Sequence, residues 1–229
     1  MIIGLIGQKR VGKDTVASII KNININIDAN IDANIDANID INLDKNYNFK
    51  CMALADPIKD IARIMFNFTE EQLYDDAKDI IDPKWGIKPR DFFEQFGTNI
   101  MQFDIYKYLP NLESQVEKRL FWVKSLLAKI QDDKDKKQNV IITDVRGLHE
   151  INEINKFTDG KAIFIRIIKK MEIENKSNIY NVNSFPLHIT QREPNKIPNE
   201  YIFDTIVNDG TLDDLNEKVK KVWNKIKIL

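Results

Sequence analysis

Short blocks of apolar residues alternate along the chain with longer stretches whose apolar positions recur every three or four residues. The first block, "MIIGLI", predicts a buried strand running into a glycine-rich turn. "KDTVASIIKNI" then sets Val16, Ile19, Ile20 and Ile23 at helical spacing. "NFKCMALA" predicts a second buried strand with Cys51 in the core. "DPIKDIARIMFNF" predicts an amphipathic helix, with Asp56 as N-cap and Pro57 in the first turn, which "TEEQLYDD" continues. "DPKWGIKP" breaks the pattern. Two long helical segments follow, "RDFFEQFGTNIMQFDIYKYL" and "LESQVEKRLFWVKSLLAKIQ", separated by Pro110. Beyond the solvated turn "DDKDKKQN", the runs "VIITD", "AIFIRII" and "FDTIVNDG" predict three more strands. "TLDDLNEKVKKVWNKIKIL" predicts a closing helix with a Thr211–Asp214 capping box. Strands alternating with helices make the fold class α/β, a parallel sheet covered on both faces. In such a sheet the ligand crevice lies at the carboxyl ends of the strands.

Two stretches depart from this alternation. Residues 22–43 repeat with period four, with Ile27, Ile31, Ile35 and Ile39 in step. A helix would turn them into a drifting apolar stripe, and a strand would put them all on one face. The expectation is a low-complexity insertion over 23–46 in a surface loop; a partner-binding helix is the alternative. Residues 169–200 are polar, rich in Asn and Pro, and read as a mobile flap.

Composition narrows the function classes. The 229 residues are 43% hydrophobic and 30% charged, a globular profile with enough apolar material for a core. A net charge of −1 gives no general attraction for nucleic acid or anionic membranes, so neither is an expected partner. The lone Cys51 excludes an internal disulfide and fits a reducing compartment. "MIIGLIG" is too short to span a bilayer and no basic region precedes it, so a cytoplasmic protein is expected. Arginine is scarce beside lysine, which points to bidentate oxyanion binding where it occurs.

The chemistry concentrates at "GQKRVGKDTVAS", Gly7 to Ser18. Gly7 and Gly12 allow a sharp turn whose amides point inward and, with the start of the next helix, form an anion nest. Lys13 reaches the β- and γ-phosphates of a bound nucleotide. Asp14 stands where a hydroxyl usually follows the lysine, and Thr15 comes one place later. A carboxylate also holds Mg²⁺, directly or through water; the plainer reading of Asp14 is a charge favouring the helix N-terminus. Asp144 ends "VIITD" as the acid of a Walker B strand, which places Mg²⁺; the plainer reading is an N-cap. "DVRG" also fits the D-x-x-G of GTPases, but "NKFTD" at 155–159 has the wrong spacing for guanine recognition. A small-molecule kinase needs arginines between two phosphates and a closing lid. Arg90 opens a helix, Arg146 follows Asp144, and Arg192 lies in the flap.

The ordered set "GLIGQKRVGKDTVAS", "LADPIK", "PRDFFEQFGTN", "FWVKSL", "ITDVRGLHE" and "NDGTLDDL" resembles the deoxynucleoside monophosphate kinases of phages and large DNA viruses. The resemblance implies one P-loop kinase domain over 1–229 with a five-stranded parallel sheet, a helical substrate-binding region over 56–132 and a lid over 169–200. It implies transfer of the γ-phosphate of ATP, with Mg²⁺, to a (deoxy)nucleoside monophosphate. The oligomeric state is not legible in the sequence; a homodimer is the candidate assembly. Lys13, Arg146 and Arg192 are then the catalytic candidates. Gly7, Lys9, Arg10, Gly12, Lys13, Asp14, Thr15 and Asp209 are candidates for ATP, and Asp14, Thr15 and Asp144 for the metal. Arg90, Arg146, Glu150 and Trp122 are candidates for the acceptor, although core packing is the simpler role for Trp85 and Trp122. His188 matches by position and reads as a structural hydrogen-bonding residue. Asn99, Gly147 and Gln191 depart from the family pattern, which implies an altered substrate range or rate, or lost activity. The alternatives are a phosphomevalonate-type kinase sharing the G-K-D loop, or a non-catalytic nucleotide-binding protein.

Overall fold

The computed structural model describes residues 1–30, 48–132, 138–169 and 193–229, with side chains of the first helix described as far as Ile23. The central sheet holds β1 (Ile2–Ile6), β2 (Phe49–Met52), β3 (Asn139–Val145), β4 (Ile163–Lys169) and β5 (Asp204–Asn208). Their order is β2-β3-β1-β4-β5, and every pair is parallel. The helices are α1 (Lys13–Asn30), α2 (Asp56–Phe66), α3 (Glu70–Tyr74), α4 (Pro89–Glu94), α5 (Ile105–Tyr108), α6 (Pro110–Glu113), α7 (Phe121–Asp132), α8 (Leu148–Phe157) and α9 (Leu212–Ile226). No described helix is long and apolar enough to cross a membrane.

The sheet forms because its central strands are nearly unbroken runs of isoleucine and valine, which pack on both faces. Ile3, Leu5, Ile141, Ile165 and Ile167 face α1 and α9, meeting Val16, Ile20, Val219 and Trp223. Ile2, Ile6, Val140, Ile142 and Phe164 face the other way, meeting Leu126 and Leu127 of α7 and Ile151 and Ile154 of α8. Burial of those two layers is the main stabilising term.

Several local expectations need correction. β2 is an edge strand: Phe49 alone is buried, packed edge-on against Trp223 at 5.7 Å, and Cys51 is exposed. Asp56 is the first residue of α2, and the N-cap is Ala55. The Asp56 carboxylate reaches back to the Ala53 amide, 2.8 Å away. α2 ends where Asn67 turns left-handed (φ 54°), and Thr69 opens a separate α3 with its own Thr69–Gln72 capping box. The first long helical segment is continuous, but Gln95–Asp104 is wound as a π-helix between α4 and α5. The second is broken: α6 is a single turn, and Arg119 adopts a positive φ of 73° before α7. The Thr211–Asp214 box closes as expected.

Residues 31–47 of the repeat region lie outside the described residues, as do 170–192, which include His188, Gln191 and Arg192. The chain returns at Glu193 under firm restraint. Arg119 donates to both Glu193 carboxylate oxygens at 2.6 Å, and Arg166 of β4 donates to Asn199 at 2.6 Å and to the Ile197 carbonyl.

Trp223, 1% exposed, joins α9 to the edge strand through Phe49. Truncation of Trp223 to Ala is expected to lower the unfolding free energy by about 3 to 5 kcal/mol, read as an earlier urea midpoint at unchanged slope.

Candidate active site

The turn after β1 is shaped by close approaches that only glycine permits. A Cβ on Gly7 would lie 2.4 Å from the Ile167 carbonyl oxygen. One on Gly12 (φ 98°) would lie 2.6 Å from Asn208 Nδ2, which donates to the Val11 carbonyl at 2.9 Å. β4 and β5 thus press the loop into shape from one side. Lys13 is buried, and its Nζ donates to the carbonyls of Gly7 (2.9 Å) and Gln8 (2.6 Å). Phosphate oxygens are stronger acceptors than these carbonyls, so an arriving polyphosphate has a cation held ready for it.

On the next strand of the sheet, β3, Asp144 accepts from the Leu54 amide at 2.7 Å and the Ala55 amide at 3.1 Å. It therefore caps the approach to α2, a helix from a different part of the chain than the N-cap reading named. Two amide bonds leave each carboxylate oxygen a further lone pair. Arg146, two residues on, makes no side-chain hydrogen bond or ion pair among the described residues, although its backbone amide is bound by Glu150. Glu150 Oε2 accepts from the amides of Arg146 (2.6 Å) and Gly147 (3.0 Å) at the start of α8. Burial pushes its carboxyl up to about 7, against the two amides that favour the ionised form. His149 is pushed down to about 4 by burial and by the Arg119 charge, and so is neutral at pH 7.

Lys13, Asp144, Arg146 and Glu150 line one cavity of about 320 Å³ at the carboxyl ends of the strands. The opposite wall comes from the helical region. Glu94, Gly97, Thr98 and Gln102 face the cavity from the end of α4 and the π-helical stretch, beside Ile58, Leu73 and Phe93. π-helical winding recurs at functional sites, because it re-aims side chains that α geometry would point elsewhere. Arg90, at the start of α4, also lines the cavity and pairs through Nε and Nη2 with the carboxylate of Asp79. Asp79 lies in the 3₁₀ turn Asp76–Asp79, which also receives Lys9 on Asp79 at 3.5 Å and Arg10 on Asp76. Another cavity, of about 360 Å³, opens at the amino ends of the strands, lined mainly by apolar side chains such as Ile2, Met52, Ile130 and Phe157.

Of the residues singled out from the sequence, Lys9, Arg10, Lys13, Asp14, Arg90, Trp122, Asp144, Arg146 and Glu150 come together around the 320 Å³ cavity. Gly7 and Gly12 shape its loop. Thr15 is exposed on α1 and does not line it. Asp209 does not line it and is paired with Lys218, while its neighbour Asn208 braces the loop. Trp122 is a core residue at the cavity's edge, with Nε1 donating to the Gly97 carbonyl at 2.6 Å. Asn99 is exposed and bonded to Gln95, off the cavity. A Cβ on Gly147 would meet the His149 ring at 2.2 Å and Glu193 at 3.2 Å, so a side chain there needs those two side chains to move. The sequence reading missed the π-helical wall, the Asp76–Asp79 turn and Asn208; only Asn208, inside the block "NDGTLDDL", lay in a motif already noticed.

Among the described residues no group of three or more His, Cys, Asp or Glu side chains sits close enough to hold a metal by itself. Asp14 and Asp144 both line the cavity. Two hard oxygen donors suit a Mg²⁺ that arrives with a polyphosphate and keeps several waters.

Glu150 allows a test independent of any ligand. Unfolded, its carboxyl releases its proton near pH 4.5, whereas in the folded chain it does so near 7. Stability that is complete below the lower value is therefore lost as pH rises toward the higher one. Glu150→Gln keeps an acceptor for the two amides and removes this loss. In metal-free buffer, urea titrations are expected to show the variant gaining on the parent between pH 5 and 8, by on the order of 2 to 3 kcal/mol.

Comparison with known proteins gives the chain its relatives. A search of curated proteins returns no match. Among solved structures, the chain is similar to the dephospho-CoA kinase of Campylobacter jejuni, at 12% identity and TM-score 0.45, with 98% of this chain and 96% of that one covered. It is similar also to a protein from Thermus thermophilus, at 15% identity and TM-score 0.42, covering 98% and 97%. A family model described as deoxynucleotide monophosphate kinase matches residues 78–219, a span that begins after the glycine loop and includes the π-helical stretch, Asp144 and Arg146. That span is more than half of the sequence, and the chain accordingly belongs to the deoxynucleotide monophosphate kinase family and is a nucleotide kinase.

Proposed function

We propose that the 320 Å³ cavity brings the γ-phosphate of ATP, the donor its family implies, to the phosphate of a deoxynucleoside monophosphate. The observation that favours this is the convergence, on one cavity at the ends of neighbouring strands, of Lys13 and the Arg146 guanidinium, which makes no hydrogen bond or ion pair among the described residues. Lys13 exchanges its two carbonyl partners for donor phosphate oxygens, and the amides from Gly7 to Thr15 take the rest. Arg146 and Arg90 hold the acceptor phosphate against the donor, offsetting the repulsion of two anions. Phosphoryl transfer needs positioning and charge stabilisation more than a base, and these side chains provide both. Asp144, with Asp14, would hold Mg²⁺, whose charge neutralises the oxygens of the transferring group.

The acceptor's nucleoside belongs against the π-helical wall. The side chains of Glu94, Thr98 and Gln102 form no hydrogen bond among the described residues, and all three line the cavity beside apolar Phe93 and Leu73. In this proposal 169–200 keeps its reading as a lid; 170–192, with Arg192, lies outside the described residues, and Arg119 and Arg166 hold Glu193 and Asn199 at its C-terminal end. Two of the family departures leave the cavity intact. Asn99 lies off it, and the space a side chain at position 147 would need is filled by His149 and Glu193. Both facts favour an active enzyme over a degenerate binding protein. We place the enzyme in the cytoplasm, supplying DNA precursors.

The test is ADP release with each of the four dNMPs, with ribonucleotide controls. Turnover with at least one dNMP is expected; no turnover with any, or turnover only with a non-nucleotide phosphate, contradicts the reading. Arg146→Ala is expected to raise the acceptor KM by about 10- to 100-fold, the loss of a charge-assisted contact, while ATP affinity stays within about twofold. Gln102→Ala is expected to raise the acceptor KM by about three- to tenfold, unequally among bases, with ATP again unaffected.

A further inference from the structure

We infer that Asp79 is a positioning residue for the acceptor phosphate: its carboxylate grips one edge of Arg90 and turns the other edge of the guanidinium into the cavity. The inference rests on the reading of Arg90 as an acceptor-phosphate ligand. Asp79 takes Nε and Nη2, the latter at 2.9 Å. A guanidinium has five N–H donors in a fixed plane, so this side-on grip leaves the end-on edge, with both Nη1 hydrogens, unspent. Arg90 lines the cavity, whereas Asp79 stands behind it in the 3₁₀ turn. An incoming phosphate therefore meets the free edge without displacing the carboxylate.

The charges nearby say why this matters. Glu94 lies one helical turn beyond Arg90 and also lines the cavity. Without Asp79, it is the acid best placed to draw Arg90 across the site, and each would then silence the other. Asp79 also receives Lys9 of the phosphate loop at 3.5 Å. Lys9, Lys78, Arg10 and Arg90 crowd together here: burial, then the charge of neighbouring cations, lowers the pKa of both lysines. Asp76 meets Arg10, while Asp79 meets Lys9 and Arg90 together and so ties the loop to α4. The Arg90 contact holds the Asp79 carboxyl at about 2, so it stays ionised through the working pH range.

The experiment is a double-mutant cycle of Asp79→Ala and Arg90→Ala, with Asp79→Glu as rescue, read in dNMP and ATP kinetics. Circular dichroism confirms folding, which the partly exposed Asp79 is not needed to secure. Asp79→Ala is expected to raise the acceptor KM by about tenfold with kcat changed less than about threefold, Asp79→Glu to recover part of this, and Asp79→Ala to add nothing further once Arg90 is gone. An unchanged KM, or effects of the two substitutions that simply multiply, overturns the inference. A lower KM overturns it too, and makes Asp79 a competitor for the phosphate's place. If Arg90→Ala itself leaves the acceptor KM untouched, the assignment of Arg90 has failed; if only Asp79→Ala does, the positioning role alone has failed.

Discussion

One carboxylate joins the two halves of the site. Asp144, at the end of β3, accepts the amides of Leu54 and Ala55, the residues that lead β2 into α2. α2 begins the helical region that forms the opposite wall of the cavity, and its Ile58 meets Gly97 of the π-helical stretch. β3 itself lies beside β1, whose end is the phosphate loop. The strand order places loop and acid side by side, and the acid's hydrogen bonds set the helical wall of the cavity opposite. Bonds to a charged acceptor are worth roughly twice those between neutral groups, and here they fix the start of an entire lobe. An Asp144 that also serves a metal works in the catalytic site and in the framework at once.

The arginines show how a scarce residue is used. Arg63 pairs with Asp60 and Glu70, Arg90 with Asp79, and Arg119 with Glu193, while Arg166 binds a carbonyl and an amide side chain. The guanidinium fork suits carboxylates as well as phosphates, so most of these side chains hold the protein to itself. Arg146 differs because its guanidinium makes no hydrogen bond or ion pair among the described residues, although the Glu150 carboxyl feels its charge; that is what the proposed role as a phosphate ligand rests on. A buried cation such as Lys13 costs stability unless partners meet it; here two carbonyls do so, and in the proposed function phosphate oxygens take their place.

Much of this was legible in the sequence, and the rest was not, for physical reasons. Runs such as "VIITDV" and "IFIRII" state their burial directly, and a glycine that must approach a carbonyl, like Gly7, appears as a glycine. The phosphate loop and Asp144 were therefore readable, as was the closing helix through its capping box. The edge position of β2 was not, because strand order is a property of the whole sheet and "FKCM" alone does not state it. The π-helix was hidden since "QFGTNIMQFD" has ordinary helical composition and its winding is set by packing. Asp209 and Asn208 are adjacent letters, and only the direction of β5 decides which of them reaches the loop. The Asp79–Arg90 pair spans a break between two helices, where periodicity carries no information.

The central claim is that donor and acceptor share a single cavity, with Lys13 and Arg146 on the two sides of the transferring group. A bisubstrate analogue, adenosine joined through a pentaphosphate to the 5′ position of a deoxynucleoside, tests it by calorimetric titration. The account predicts one analogue per chain, bound at least about 100-fold more tightly than either nucleotide alone and displaced by both. Affinity no better than that of ATP, or binding that leaves the acceptor free to bind alongside, would contradict it.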